Sequence, residues 1–227
     1  MLLADGMGGY EAGELAADLA LNTLRKLLVE QKPFAAVAGG AHPPLSDFNQ
    51  QGMIDIIRAA MKETNKVVHQ APQKGIGRRG MGCTSEAIYI NGRNMVVGHI
   101  GDSRTYHLSQ GRLNQVTRDQ TLVNRLVELG QISAEEAENH PRKNELQQAV
   151  GGRSDVDPAV YHTILRPGDW ILVCSDGLTN HIKNDEIQEM FQNEAFSAEI
   201  AARRLVNFAN LRGATDNSTV VVVRMPS

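Results

Sequence analysis

Leu2-Leu3-Ala4-Asp5-Gly6-Met7-Gly8-Gly9 decides how this chain is read. A short apolar run ends on a carboxylate and opens at once into a glycine-rich turn, which reads as the tail of a buried strand. The same setting recurs three times. Asp102 follows Val97-Gly98-His99-Ile100-Gly101, Asp176 follows Ile171-Leu172-Val173-Cys174-Ser175, and Asp216 precedes Asn217 and a run of valines. Any one of these is an ordinary turn dipeptide, because Asp bonds its own backbone and Gly supplies positive φ. Four of them, each abutting an apolar strand, point to a site. Carboxylates converging at the mouths of strands repel unless a cation lies among them. Oxygen ligands without a Cys–His cluster favour magnesium or manganese over zinc.

The rest of the chain supplies the elements around these turns. Glu11 to Gln31 carries leucines and alanines at helical spacing (Leu15, Leu19, Leu24, Leu27, Leu28), with acidic residues in its first turn and Arg25 and Lys26 later. A loop is expected over 35–52, and a second amphipathic helix from Met53 to Gln70. The period then shortens to two. Strands are expected over 84–90, 94–100, 105–108 and 113–116, with Asn91-Gly92 marking a type I′ hairpin. Helical patterning returns over 119–150, where Ser133 and Glu136 form a capping box. Strands follow over 158–165 and 170–175, helices near 184–192 and 197–211, and a valine-rich strand closes the chain. Segregated strands and helices of this order imply an α+β layered fold, and with no repeat or linker the chain 1–227 reads as a single domain.

Composition narrows the function. With 227 residues the chain is long enough to bury a core without staples. A net charge of -3 and only 4% aromatic residues argue against nucleic acid as a partner. No apolar run approaches the roughly 18 residues of a membrane span. Cys83 and Cys174 each sit in an apolar run and read as buried reduced thiols, which suggests a cytoplasmic protein.

The wording of the motifs resembles one family. Leu3-Ala4-Asp5-Gly6-Met7-Gly8-Gly9 with Gly13-Glu14-Leu15-Ala16, then Gly82-Cys83-Thr84-Ser85, then Val97 to Arg104, then Thr117-Arg118-Asp119-Gln120-Thr121, then Ser175-Asp176-Gly177-Leu178 and Asp216-Asn217-Ser218-Thr219, stand in the order of the PPM family's motifs. These are the metal-dependent serine/threonine phosphatases of type 2C. Met7 stands where eukaryotic members usually carry histidine, so the bacterial branch is the nearer match.

The resemblance implies a four-layer α-β-β-α sandwich with two central antiparallel sheets and a helical flap over about 119–150. It implies two or three Mn2+ or Mg2+ ions. Asp5 would bridge two of them with help from the Gly6 carbonyl, Asp176 and Asp216 would hold the first, and Asp102 with Asp176 would serve a third. His140, in His140-Pro141-Arg142-Lys143-Asn144, resembles a flap histidine near the substrate path. The partners implied are phosphorylated proteins or peptides, in a pathway with a cognate serine/threonine kinase. The chemistry implied is phosphate monoester hydrolysis by a metal-bound water, with no protein nucleophile. The sequence holds no Cys-x5-Arg loop and no Gly-x-Ser-x-Gly elbow.

Family members carry a further N-terminal stretch before the Asp-Gly-Met-Gly-Gly motif, with two strands, a phosphate-binding arginine and an acidic metal ligand. No residue here is assigned to those roles; Arg78 and Arg79 are the cations considered for the phosphate. Two explanations stay open, a fragment or mis-started frame and a naturally shortened form. The alternative function that follows is a pseudophosphatase or phosphoprotein-binding module with little turnover. Exposed strand edges and self-association are expected alongside.

Overall fold

The computed structural model describes residues 1–36, 49–192, 197–214 and 216–226. In chain order the elements begin with β1 (Leu2–Leu3), β2 (Gly6–Met7) and α1 (Tyr10–Arg25), the last extended by a π-helical turn, Lys26–Glu30. Next come α2 (Gln50–Gln70), β3 (Gly82–Cys83), β4 (Ser85–Asn91), β5 (Asn94–Ile100), β6 (Arg104–Ser109) and β7 (Arg112–Gln115). Then follow α3 (Leu122–Glu128), α4 (Ala134–Glu138), β8 (Ala159–Ile164), β9 (Trp170–Cys174), α5 (Asp176–Thr179), α6 (Asn184–Phe191), α7 (Ala198–Leu211) and β10 (Val220–Arg224).

Two antiparallel sheets form, in the orders β1-β4-β5-β8 and β10-β9-β6-β7. The twofold period of a strand explains how both are covered. Along β9, Trp170, Leu172 and Cys174 pack with Leu178, Ile187, Phe191 and Leu205 of the C-terminal helices, while Ile171 and Val173 pack with Leu3, Ile88, Met95 and Val97 of the other sheet. On that sheet Ala87, Val96 and Ile100 face Ala16, Leu24, Ile57 and Met61 of α1 and α2. Three apolar layers separate four layers of backbone, so the chain is an α-β-β-α sandwich.

Several local expectations change. Among the buried residues on α1 are Ala12, Ala16, Ala20 and Leu24, while Leu15 and Leu19 lie at its flanks. Small side chains let the helix axis approach the sheet, so alanines take the centre of the face. The β4–β5 turn is Gly92-Arg93, because Asn91 pairs with Asn94; positive φ falls on Gly92 (57°) and not on Arg93, the type II′ pattern rather than I′. The loop expected over 35–52 lies mostly outside the described residues, and its end is helical. There α2 starts at Gln50, capped by the Asn49 side chain, which accepts from the Gly52 amide at 2.9 Å. Among the described residues no helix is long and apolar enough to cross a membrane.

Candidate metal centre

Each of the four aspartates sits at an element boundary, and backbone stitching brings the boundaries together. Asp5 lies between β1 and β2, and β2 pairs with β3 (Gly6 with Cys83). Its position depends on a close approach of two backbones. A Cβ on Gly6 would lie 2.2 Å from the Gly13 carbonyl oxygen in α1, so only glycine fits. Asp102 occupies the turn from β5 in one sheet to β6 in the other. Asp176 opens α5 directly after β9, and Asp216 precedes β10. The last two loops are laced together: Ser175 Oγ donates to the Asn217 carbonyl at 3.2 Å and accepts from the Thr219 amide at 3.0 Å, and Ser218 Oγ donates to the Gly177 carbonyl at 2.8 Å. Thr84, at the start of β4, ties the first two. Its Oγ1 meets the Asp5 amide at 3.0 Å and Ser103 Oγ at 2.7 Å.

The electrostatics show that the carboxylates share a neighbourhood. Burial, then the charges of Asp176 and Asp216, push Asp5 up to about 7. Burial, then the charges of Asp176, Asp119 and Asp5, push Asp102 up to about 7. Asp176 is raised by burial and by Asp216, against a 3.1 Å hydrogen bond from Asn180 Nδ2. Among the described residues, however, no three His, Cys, Asp or Glu side chains stand at metal-holding separations. Carboxylates this close repel, and taking up a proton is one way to relieve it. A hard divalent cation is the other, and an all-oxygen donor set with a nearby backbone carbonyl at Gly6 suits one.

Not every expected residue joins this group. His140 makes its contacts inside the flap, where its Nδ1 accepts from the Arg142 amide at 3.1 Å and its carbonyl from the Lys143 amide at 3.1 Å. The flap itself carries α3 and α4, with the Ser133–Glu136 capping box formed as expected. Bridges from Thr121 to Leu146 and from Cys83 to Val150 close its base. Arg78 donates to the Gly8 carbonyl at 2.7 Å and so tethers the basic loop to the Asp-Gly-Met-Gly-Gly turn. Both cysteines are free and buried, and burial pushes each thiol up to about 12, which removes them as nucleophiles.

Sequence reading missed the supporting residues. Thr84 and Ser103 were visible only as motif neighbours. Glu86 and His99 are fully buried, and a signal for one of them existed: a charged residue inside the strand Ser85-Glu86-Ala87-Ile88.

The description "Protein phosphatase 2C" matches residues 1–214. Protein phosphatase PhpP of Streptococcus pneumoniae is 35% identical over 225 residues, covering 99% of this chain and 85% of the relative. The crystal structure of the Mycobacterium tuberculosis serine/threonine phosphatase PstP/Ppp superposes with a TM-score of 0.82 at 34% identity, covering 100% of this chain and 88% of that one. The catalytic domain of PstP in complex with two manganese ions gives 0.79 at 33%, covering 100% and 87%. With the sandwich, the motif order and these matches in agreement, the chain belongs to the protein phosphatase 2C family.

Proposed function

We propose that this protein is a metal-dependent phosphatase that removes phosphate from phosphoserine and phosphothreonine on proteins. The observation that carries the reading is the convergence of Asp5, Asp102, Asp176 and Asp216 from separate strand ends in a protein phosphatase 2C chain. PhpP and PstP are named as phosphatases, which favours turnover over a binding-only role. The ions in this reading are Mn2+ or Mg2+, two or three in number, as a PstP structure holds two manganese ions. Bound there, they would lower the pKa of water and offset charge on the phosphoryl oxygens.

The chain's own residues divide the work. Asp5 with the Gly6 carbonyl would hold two of the cations, Asp176 and Asp216 would hold the first, and Asp102 with Asp176 would hold a third. The Asn180 amide orients Asp176, and Ser175 keeps the Asp176 and Asp216 loops in register. His140 borders the substrate path from the flap over 119–150, and the whole of 1–227 acts as one catalytic domain.

The wider reading is a cytoplasmic enzyme opposing a serine/threonine kinase. Self-association is part of it. Among the described residues β10 is the outermost strand of its sheet, an edge that a second copy could pair with. Light scattering showing only monomer would remove this last element.

The test is hydrolysis of a phosphopeptide and an aryl phosphate, with and without Mn2+, beside the Asp176→Ala variant. Turnover that needs Mn2+ and is lost in the variant is expected. Turnover that is absent with Mn2+, or equal in the variant, overturns the proposal.

A further inference from the structure

The structure assigns a positioning role to the buried Glu86–His99 pair: it anchors the root of the flap, residues 118–120, and through that root fixes the turn that carries Asp102.

Glu86 and His99 are cross-strand partners in β4 and β5, side by side on the face between the sheets. Both are completely buried. An ionised carboxylate there costs several kcal/mol unless it is paired and hydrogen-bonded. Glu86 meets both conditions: one oxygen shares a hydrogen bond with His99 Nδ1, and the other accepts from Thr105 Oγ1 of the opposite sheet at 2.6 Å. The second ring nitrogen, Nε2, faces the Arg118 carbonyl at 2.9 Å. The Arg118 carbonyl can only accept, so Nε2 donates to it whichever partner holds the proton between Nδ1 and Glu86. Burial favours the neutral form of each partner, while the Glu86 carboxyl, the Asp119 charge and the Arg118 carbonyl draw a proton onto the ring.

An apolar pair would fill this space at lower electrostatic cost. It would not supply a donor to Arg118, and Arg118 is where the chain leaves β7 for the flap. The next two residues clamp the Asp102 turn from both sides. Asp119 takes a two-pronged bond from Arg104, at 2.9 and 2.7 Å. Gln120 donates its amide to the Gly101 carbonyl at 2.7 Å, and its Oε1 accepts from the Gly101 amide at 3.0 Å. Gly101 and Arg104 flank Asp102, so its orientation follows from where 118–120 is held.

The role of Asp102 rests on the function proposed above; the anchoring does not. Two variants separate the two contacts of the ring. His99→Asn leaves an amide near the Nδ1 position, which serves Glu86 and abandons Arg118. His99→Gln reaches the Nε2 position, which serves Arg118 and abandons Glu86. Amide hydrogen exchange at Gly101 and Gln120, without added metal, reads the anchoring directly. Calorimetric Mn2+ titration reads its consequence, and thermal denaturation reads stability.

For His99→Asn, exchange at Gly101 and Gln120 is expected to speed up on the order of tenfold, the scale of one lost buried hydrogen bond. Mn2+ binding weakens several-fold, beyond what its fall in Tm, set against that of His99→Gln, accounts for. His99→Gln keeps wild-type exchange and Mn2+ affinity even where Tm falls. Unchanged exchange in His99→Asn, or Mn2+ affinities that merely follow Tm across both variants, overturns the proposal. If His99→Asn fails to fold, Gln120→Leu decides: it must speed exchange at Gly101 and weaken Mn2+ binding. An Asp102→Asn variant that binds Mn2+ like wild type removes Asp102 as a ligand, while the exchange result still judges the anchoring.

Discussion

Thr84 holds Asp5 from both directions. The Asp5 amide donates to Thr84 Oγ1 at 3.0 Å, and the Thr84 amide donates to the Asp5 carbonyl at 2.8 Å. The same hydroxyl reaches Ser103, beside Asp102, so one side chain spans two of the aspartate loops. Thr84→Val keeps the shape and deletes the hydroxyl, leaving the Asp5 amide unpaired. A loss of about 1–3 kcal/mol is expected in urea unfolding, together with weaker Mn2+ binding by calorimetry. Thr84→Ser restores both. Mn2+ affinity in Thr84→Val equal to that of wild type would reduce Thr84 to a space-filler.

Gly13→Ala tests the close approach beneath the Asp-Gly-Met-Gly-Gly turn. The added Cβ would lie 2.8 Å from the Gly6 carbonyl carbon and 2.9 Å from the Met7 amide nitrogen. Alanine is the better helix former by nearly 1 kcal/mol, yet backbone atoms yield less than side-chain ends. The clash should win, costing about 1–3 kcal/mol in denaturant unfolding. A variant more stable than wild type would show that the turn shifts freely.

Asp5→Asn separates folding from function. It removes one of several repelling carboxylates at nearly constant shape, so Tm without metal should hold or rise. Mn2+ at about 100 times its Kd is expected to stabilise the wild type by about 2.7 kcal/mol, and most of that gain should vanish in the variant. Phosphopeptide turnover should fall on the order of a thousandfold, the loss of several kcal/mol of charge stabilisation. Undiminished Mn2+ stabilisation in a thermal-shift series would rule out Asp5 as a ligand.

The acid limb of stability should carry a signature of Glu186. Its carboxylate binds Arg212, the residue following α7, and accepts from the Lys183 amide at 2.9 Å; Arg212 also donates to the His181 carbonyl at 3.0 Å. The Arg212 hydrogen bond, ahead of the Lys183 amide, lowers Glu186 from 4.5 to about 2. A depressed carboxylate contributes stability above its unfolded pKa and loses it as pH falls through the folded one. The Tm gap between wild type and Glu186→Gln should therefore be full above pH 4.5 and close toward pH 2. Because the pair is exposed, salt should narrow the gap as well. A gap that stays constant with pH would assign it to packing.

Where a signal is local, the sequence carried it. The shift from a 3.6 to a 2 period located the helices and strands, since side-chain direction depends only on backbone geometry. Ser133 with Glu136 announced a capping box that forms, because both partners lie within one turn. Asn91-Gly92 announced a turn but misplaced it by one residue, because the pairing of Asn91 with Asn94 sets the register. Leucines and alanines both recur at helical spacing along α1, but that Ala12, Ala16 and Ala20 take the centre of the buried face is not in the pattern, because hydropathy does not report how closely a helix sits on a sheet.

By itself, then, the sequence determined four carboxylates at the ends of apolar strands, in the motif order of a phosphatase family. Turn chemistry and strand period are local properties of the chain. Only the tertiary structure decided that Asp5, Asp102 and Asp176 lie within electrostatic reach of one another, with Asp216 beside Asp5 and Asp176. It also decided that Thr84 and Ser175 hold their loops, that Glu86 and His99 underlie the flap root, and that His140 bonds within the flap. Those relationships join residues far apart in sequence. They exist because two sheets pack face to face and bring their strand ends to a common edge, which no local pattern encodes.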